Sequence, residues 1–412
     1  VDQTGAEFGA GAPAHARRQF EEGRGKDYAK EWTEHGQHRR GIIPMPFERR
    51  LLRDFDWPLL GCVLLLSAFG IVAIASATRG WAHPFEPARK QALWLLLGLF
   101  ALGLALLPDY SLFARVRRPV YVVAILMLLL TFVAGKRAGG AVRWLSLGPI
   151  QVQPSEVVKL AVIFWLAHHM AAHEGRMRTL GGLLRSALPV LPAMELVMLQ
   201  PDLSTSLVLL AIWLGMAFVA GARPSHLLGV VLVGLLLFGA AWKFDILREY
   251  QKQRILAFIN PQADPRGTGY HILQAQIAVG SGRLFGKGLF NGTQSQLRFV
   301  PAQHTDFIFT VVGEETGFLG SALLLLLYAI LFWRIFLIML SAQDRLGLLL
   351  CAGVASMLVF QTFVNIGVCT GILPPTGLPL PFMSYGGTAM LCYMLGVGIV
   401  LNVGIRRRKI VF

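Results

Sequence analysis

Long apolar runs alternate with polar segments from residue 58 to residue 404 of this 412-residue chain. Ten of these runs approach the length of about 20 residues that a helix needs to cross a bilayer. Their approximate bounds are 58–77, 91–107, 120–134, 157–172, 183–199, 204–220, 227–244, 307–340, 346–368 and 388–404. Pro189, Pro192 and Glu195 interrupt the fifth run, and we expect proline to kink this helix rather than end it. The pattern predicts an all-α polytopic membrane protein with about ten transmembrane helices.

Two segments depart from this alternation. Residues 245–305 form a long polar segment between the seventh and eighth runs, which predicts a large loop there. Residues 1–46 lack an apolar run and contain seven basic and seven acidic side chains, a composition that predicts a disordered extension. We therefore divide the chain into this extension and one membrane domain, residues 47–412. Because the chain begins with Val, we expect the natural start at Met45.

Composition supports the membrane assignment. Hydrophobic residues make up 55% of the chain, and the mean hydropathy is +0.57. Both values are too high for a soluble protein with one buried core. The net charge of +15 indicates contact with anionic lipid head groups, since no basic patch with interleaved aromatic residues suggests nucleic acid. The four cysteines have no metal-ligand spacing, so we expect free thiols.

Basic residues in the short loops predict the orientation. With the N-terminus in the cytoplasm, fifteen Lys and Arg lie on the cytoplasmic side and six on the other. Cytoplasmic loops carry such an excess, and ten spans return the C-terminus to the cytoplasm. The segment 245–305 is then extracytoplasmic, because long loops translocate largely regardless of their charge.

Asp306 is the first candidate for chemistry, because it stands where the polar segment re-enters an apolar run. An ionisable group in that position has a desolvation cost that function usually justifies. The alternative is a simple helix cap. On an ideal helix Glu314 lies about 80° around from Asp306, so it could share a cavity with it. His304 and Asp306 could also hold a divalent ion, although two ligands are a weak metal signal.

Two further helix starts carry charged side chains on the same predicted side of the membrane. Glu156 and Lys159 are three residues apart, so they could form a capping and snorkelling pair. Alternatively, Lys159 and Arg143 could offer positive charge to a phosphate at the membrane surface. Asp202 is either the N-cap of the sixth span or a second carboxylate of the site that contains Asp306.

Glycine and proline shape the remaining polar stretches. The glycines of residues 280–288 do not fit a nucleotide-binding spacing. We expect them to turn the backbone tightly, with Arg254, Arg283 and Lys287 free to meet a pyrophosphate. The proline-rich stretch 376–387, which contains Ser384, predicts a re-entrant loop that forms one wall of the site.

These stretches, in order and spacing, resemble the SEDS family of bacterial cell-wall polymerases over nearly all of residues 47–412. The stretches that carry the resemblance are 153–159, 200–205, 254–270, 292–315 and 365–387. Residues 292–295 and 378–381 look more like the elongation branch of that family than the division branch. The resemblance implies that Asp306 is the catalytic aspartate, and that Glu156, Lys159 and Asp202 match functionally important positions.

The resemblance also implies an activity. A member of this family would extend glycan strands from lipid II in the bacterial cytoplasmic membrane. It would work with a class B penicillin-binding protein and other elongation-complex membrane proteins. Asp306 would act as a general base, while Arg143, Lys159 and Arg254, or a divalent cation, would stabilise the departing pyrophosphate. A lipid-linked precursor flippase and a membrane scaffold for the transpeptidase are the alternatives.

Overall fold

A computed structural model describes residues 54–138, 141–148, 150–245, 249–263, 267–297, 299–300 and 302–406. The predicted disorder of residues 1–46 and the predicted start at Met45 lie outside these ranges. Within them, helix occupies each of the ten predicted runs. The fifteen helices are α1 Trp57–Ala77, α2 Glu86–Leu106, α3 Ser111–Arg115, α4 Arg117–Ala134, α5 Pro154–Ala172, α6 Leu180–Ala187, α7 Val190–Leu199, α8 Leu203–Val219, α9 Pro224–Lys243, α10 Glu249–Ile259, α11 Thr268–Ser281, α12 Thr293–Gln296, α13 Ile308–Leu340, α14 Arg345–Cys369 and α15 Gly387–Ile405.

The protein is a mostly helical, polytopic membrane protein. Seven of the described helices are long and apolar enough to cross a bilayer, namely α1, α2, α4, α9, α13, α14 and α15. The pair α6 and α7 adds an eighth if it is one span with a bend of 47°. The break falls at Leu188 and Pro189, and its interpretation as a kink within one span stays a prediction. Helix α8 has 17 residues and is shorter than a full span, and the count of ten stays a prediction.

Burial divides the helices into a centre and a lipid-facing periphery. Helices α5, α14 and α15 are buried over most of their lengths, and α15 packs against α2, α5, α13 and α14. By contrast, α9 has no buried residue. Large apolar side chains such as Phe100 and Leu236 are exposed on the outer helices, as a surface in contact with lipid requires.

A small antiparallel sheet connects α4 to α5, and it is the main departure from the all-α prediction. Its strands are β1 Lys136–Ala138, β2 Ala141–Leu147 and β3 Ile150–Val152, in the order β1-β2-β3. Leu145 pairs with Val152 and Ser146 with Gln151. Strand β2 carries Arg143, one of the predicted site residues.

The predicted loop 245–305 contains three helices, α10, α11 and α12, and a 3-10 turn at Pro261–Ala263. Of these, α11 packs against α13 and α14. A Cβ built on Gly313 would stand 3.2 Å from the Val279 side chain of α11, so this glycine permits a close approach of the two helices. The extracytoplasmic location of the segment stays a prediction.

Helix α13 has 33 residues and is broken at Gly317, whose φ of 65° and ψ of −158° are accessible essentially only to glycine. Before the break, residues 308–315 are all buried, whereas after it one face, with Phe318 and Leu323, is exposed and the other, with Leu324, is buried. The part after the break is about 35 Å long, enough by itself for a hydrocarbon core of about 30 Å.

The glycine-containing loop 282–288 satisfies the backbone groups that the break leaves open. Four hydrogen bonds join the loop to α13: the amide of Lys287 donates to the carbonyl of Glu314 and that of Gly288 to Glu315, both at 3.0 Å, while Phe318 donates to Arg283 at 2.8 Å and Leu319 to Leu284 at 3.1 Å. The glycines therefore allow the loop backbone to approach α13 closely enough to form these bonds. Buried backbone groups need such partners.

Candidate active site

Asp306 lies in a tight turn that ends just before α13. The amides of Thr305 and Asp306 both donate to the carbonyl of Ala302, at 3.1 and 3.0 Å. Helix α13 begins at Ile308, and its N-cap is Phe307, which makes no side-chain cap bond. The interpretation of Asp306 as a simple helix cap is therefore wrong.

The turn holds Asp306 against two other elements. The Asn365 amide nitrogen on α14 donates to the carbonyl of Asp306 at 2.8 Å and to that of Leu378 at 2.8 Å. Gly377 lies against the carboxylate, because a Cβ built there would stand 3.4 Å from Asp306 Oδ2. The backbone on both sides of the carboxylate is thus fixed by α14 and by the proline-rich stretch.

Charged neighbours set the electrostatics of Asp306. The residue is half-buried, and desolvation raises the pKa of its carboxyl above the ordinary value. A hydrogen bond from Thr305 and the charges of Arg254 and Arg143 oppose that rise, while Asp202 adds to it. A desolvated carboxylate near two guanidinium groups is a stronger base than a free one and still has cations that favour its ionised form.

Arg143 links the sheet to the start of α8. Its Nε donates to the carbonyl of Gln200 at 3.1 Å, another nitrogen donates to Pro201, and Nη1 lies 3.7 Å from Asp202 Oδ2. Asp202 also caps α8, accepting from the Thr205 amide at 3.2 Å and its hydroxyl at 3.0 Å. The interpretation of Asp202 as an N-cap is confirmed, and its role as a second carboxylate of the site stays a prediction.

The carbonyl of Thr376 accepts hydrogen bonds from residues of two different helices. It accepts from Arg254 Nη1 at 3.4 Å and from the Ser204 hydroxyl. Arg254 comes from α10, Ser204 from α8, and Thr376 precedes the glycine that contacts Asp306. The structure therefore brings together Arg143, Asp202, Arg254 and Asp306, which are four of the predicted site residues.

Glu156 and Lys159 form the predicted pair at 2.7 Å, but in a different setting. Both are buried and Lys159 is fully enclosed, so the snorkelling interpretation is wrong: the ammonium does not reach the membrane surface. Its nitrogen lies 5.8 Å from the centre of the Tyr393 ring. Direct contact of this pair with substrate stays a prediction.

Ser384 and His304 fasten the proline-rich stretch to the turn of Asp306. The Ser384 hydroxyl accepts from the Leu380 amide at 2.9 Å and donates to the carbonyl of Thr305. The amide of Tyr385 donates to the carbonyl of His304 at 2.9 Å. The proline-rich stretch is non-helical and packs against the turn of Asp306, and the Ser384 hydroxyl is engaged in holding it there. Its re-entry into the membrane, and a contact of Ser384 with substrate, stay predictions.

Glu314 does not share a site with Asp306. The helical projection that placed them together fails because Asp306 precedes the helix. Glu314 is fully buried and pairs with Lys287 at 2.7 Å. Lys287 is thus not free for a pyrophosphate, contrary to the expectation from the sequence.

The described residues contain no group of three or more His, Cys, Asp or Glu side chains that could hold a metal ion. The His304 ring packs against Trp81 and Tyr385, with centroids at 4.9 and 5.8 Å. His304 and Asp306 alone do not supply the six or more oxygen ligands that Ca²⁺ takes or the octahedral set that Mg²⁺ needs. Any divalent cation would depend on substrate oxygens for most of its coordination.

Sequence reasoning missed Asn365 and Thr376 as individual residues of the site. Asn365 is a buried amide within an apolar run, and that signal was available. Thr376 contributes its backbone carbonyl, and every residue type has that group, so the sequence could not indicate this role.

The fold and the site define a class: a polytopic membrane protein in which the sheet, the start of α8 and helix α10 place basic and acidic side chains near one aspartate. The chain belongs to the FtsW/RodA/SpoVE family of cell cycle proteins, whose model matches residues 56–409. The resemblance found in the sequence is therefore confirmed.

Individual relatives extend over most of the chain. It is 34% identical to the probable peptidoglycan glycosyltransferase FtsW of Geobacter sp. (strain M18) over 367 residues, 87% of this chain and 99% of the relative. It is 40% identical to the peptidoglycan glycosyltransferase MrdB of Escherichia coli (strain K12) over 291 residues, 71% and 78% of the two chains. In a solved structure of a peptidoglycan synthase complex that coordinates polymerization and crosslinking, one chain matches with a TM-score of 0.74 and 34% identity, over 86% of this chain and 99% of that one.

Proposed function

We propose that this protein is a peptidoglycan glycosyltransferase that polymerises lipid II into glycan strands. The observation that supports this most directly is the desolvated Asp306 carboxylate with Arg143 and Arg254 as cationic neighbours. A base beside two cations suits a reaction in which a sugar hydroxyl loses a proton while a pyrophosphate departs. The names of the similar proteins, which are glycosyltransferases of peptidoglycan, agree with that chemistry.

In the proposed reaction Asp306 accepts the proton of the acceptor sugar hydroxyl. The hydroxyl oxygen attacks the anomeric carbon of the donor, the bond from that carbon to the pyrophosphate oxygen breaks, and the configuration inverts. Undecaprenyl pyrophosphate leaves with the electron pair, and the guanidinium groups of Arg143 and Arg254 stabilise its charge. General-base catalysis typically contributes about 10²- to 10⁴-fold, and positioning of the two substrates contributes much of the rest.

The chain serves cell elongation in this proposal. Its identity is 40% to MrdB and 34% to FtsW, although over alignments of different length. Its partners are a class B penicillin-binding protein and other membrane proteins of the elongation complex. It resides in the bacterial cytoplasmic membrane with both termini in the cytoplasm, so the site faces the compartment where the glycan strand grows.

Purified protein supplied with lipid II tests the proposal, with Asp306→Asn as the variant. Asparagine keeps the shape but cannot accept the proton, so we expect a rate at least 100-fold lower. Polymer from Asp306→Asn at the wild-type rate would exclude the proposed base. Translocation of lipid II without polymer would indicate a flippase, and neither activity a scaffold. Titration with EDTA and Mg²⁺ in the same assay tests the predicted divalent cation.

A further inference from the structure

Glu314 makes an unusually large number of contacts for one side chain. It is fully buried on the enclosed part of α13. Its two carboxylate oxygens accept from the Lys287 ammonium at 2.7 Å, the Thr293 hydroxyl at 3.2 Å, the Gln294 amide at 2.9 Å, and the amide and hydroxyl of Ser295 at 3.1 and 2.8 Å. All five donors belong to residues 287–295, so Glu314 holds that segment from within the protein.

Glu315 holds the same segment from another side. Successive residues on a helix point about 100° apart, so two consecutive side chains reach different neighbours. Glu315 accepts from the Phe290 amide at 3.1 Å and from the Ser76 hydroxyl at the end of α1. The Arg79 guanidinium donates to the carbonyl of Phe290 at 3.1 Å. Residues 287–295 are therefore fixed between α1 and α13.

A short chain of contacts leads from this segment to the turn of Asp306. The Gln303 amide nitrogen donates to the carbonyl of Ser295 and, at 3.0 Å, to that of Ala77. Gln303 is buried and follows Ala302, whose carbonyl accepts from the amide of Asp306 at 3.0 Å. A change in the position of Ser295 thus moves the residue that anchors the base of the turn.

We propose that Glu314 is a positioning residue for the proposed reaction, setting the place of Asp306 through Ser295 and Gln303. The inference rests on the proposed role of Asp306. A carboxylate suits the task because an ionised carboxylate only accepts hydrogen bonds, and here every partner is a donor. Glutamine would replace one accepting oxygen with an NH₂ group that faces donors, and it would leave Lys287 without its counter-charge.

The test compares Glu314→Gln with Glu174→Gln in the intact protein supplied with lipid II. Glu174 also pairs with a cation, Arg345 at 2.6 Å, but more than half of its side chain is exposed. For Glu314→Gln we expect kcat to fall at least tenfold with KM within about twofold, and faster hydrogen exchange in residues 287–306. Glu174→Gln should match the wild type in all three.

The pH profile separates positioning from a loss of folded protein. Loosening the turn admits water to the Asp306 carboxyl, whose pKa is raised by desolvation, so that pKa should fall. The acid limb of kcat/KM should therefore move to lower pH in Glu314→Gln. Fewer folded molecules would reduce the rate equally at every pH and leave the limb unmoved.

Wild-type kcat in Glu314→Gln, or a lower rate with an unmoved acid limb, would overturn the proposal. If that variant does not fold, Ser295→Ala decides, because it removes one of the five donors. It should lower kcat severalfold with the same shift of the limb, and wild-type behaviour would count against the proposal. If the wild type makes no polymer from lipid II, the proposed function fails. If the wild type makes polymer and a variant gives one of these contrary results, only the role of Glu314 fails.

Discussion

Replacement of Gly317 by Ala should separate the loop 282–288 from α13 and destabilise the protein. The φ of 65° at this residue already disfavours any side chain. A Cβ there would also stand 2.3 Å from the Gly286 nitrogen and 2.8 Å from the Leu284 oxygen. Both contacts are with backbone atoms, so no rotamer change relieves them, and the loop 282–288 must move away.

The cost can be worked out from the groups that would separate. A residue forced into this region of φ and ψ costs about 1–3 kcal/mol. The four backbone hydrogen bonds between the loop and α13 are worth about 0.5–1.5 kcal/mol each, and the nearest ones would break. With two of these bonds broken, we expect a total loss of about 2–6 kcal/mol, which corresponds to a fall in melting temperature on the order of 10 °C.

Thermal unfolding in detergent, followed by intrinsic fluorescence, measures this loss, with Gly234→Ala as the matched control. Gly234 lies in α9, and a Cβ there meets nothing within 4 Å. Alanine should therefore stabilise that helix slightly, by up to about 1 kcal/mol. Equal melting temperatures for Gly317→Ala and Gly234→Ala would refute the structural role assigned to the break.

Two further predictions concern the base and the bundle. Because burial raises the pKa of Asp306 above its ordinary value of about 3.9, the proposed base is lost as pH falls through that higher pKa. As the pH is lowered, the rate should therefore begin to fall at a higher pH than an ordinary aspartate would cause, and a flat profile would contradict the assignment. Asp56 caps α1 and accepts from Arg334 on α13 at 3.0 and 2.6 Å. Asp56→Ala should cost about 2–4 kcal/mol in an unfolding assay, and Asp56→Ala combined with Arg334→Met less, because no unpaired cation remains; additive losses would argue against the pair.

Periodicity located the helices because a bilayer demands long apolar runs whatever else the protein does. Residue type also predicted an interruption near Pro189, where the structure has a bend of 47° between α6 and α7. The sheet that carries Arg143 was missed because only segments that cross the bilayer must be long and apolar. Its strands have three to seven residues and lie between spans, where no membrane constraint marks them.

Sequence predicted the members of the candidate site better than its geometry. Arg143, Asp202, Arg254 and Asp306 are polar residues beside apolar runs, and the structure gathers them. Glu314 was assigned to the wrong neighbours because the helical projection was continued back through Asp306, although the apolar run itself begins at residue 307 and the helix at Ile308. A shift of a few residues at a helix start changes which side chains share a face. The residue at which such a helix starts depends on tertiary contacts, such as the hydrogen bond from Asn365 to the carbonyl of Asp306.

Under the proposed function, the break in α13 would let one helix serve both a lipid-linked substrate and a reaction in water. Residues after Gly317 expose large apolar side chains, which suits contact with polyprenyl chains and lipid. Residues before it are enclosed by the segment 282–296 and carry the two glutamates that hold that segment. Asp306 follows from the same segment, outside the spanning part of the helix. A base placed there can meet a sugar hydroxyl in water while the lipid that carries the sugar stays in the membrane.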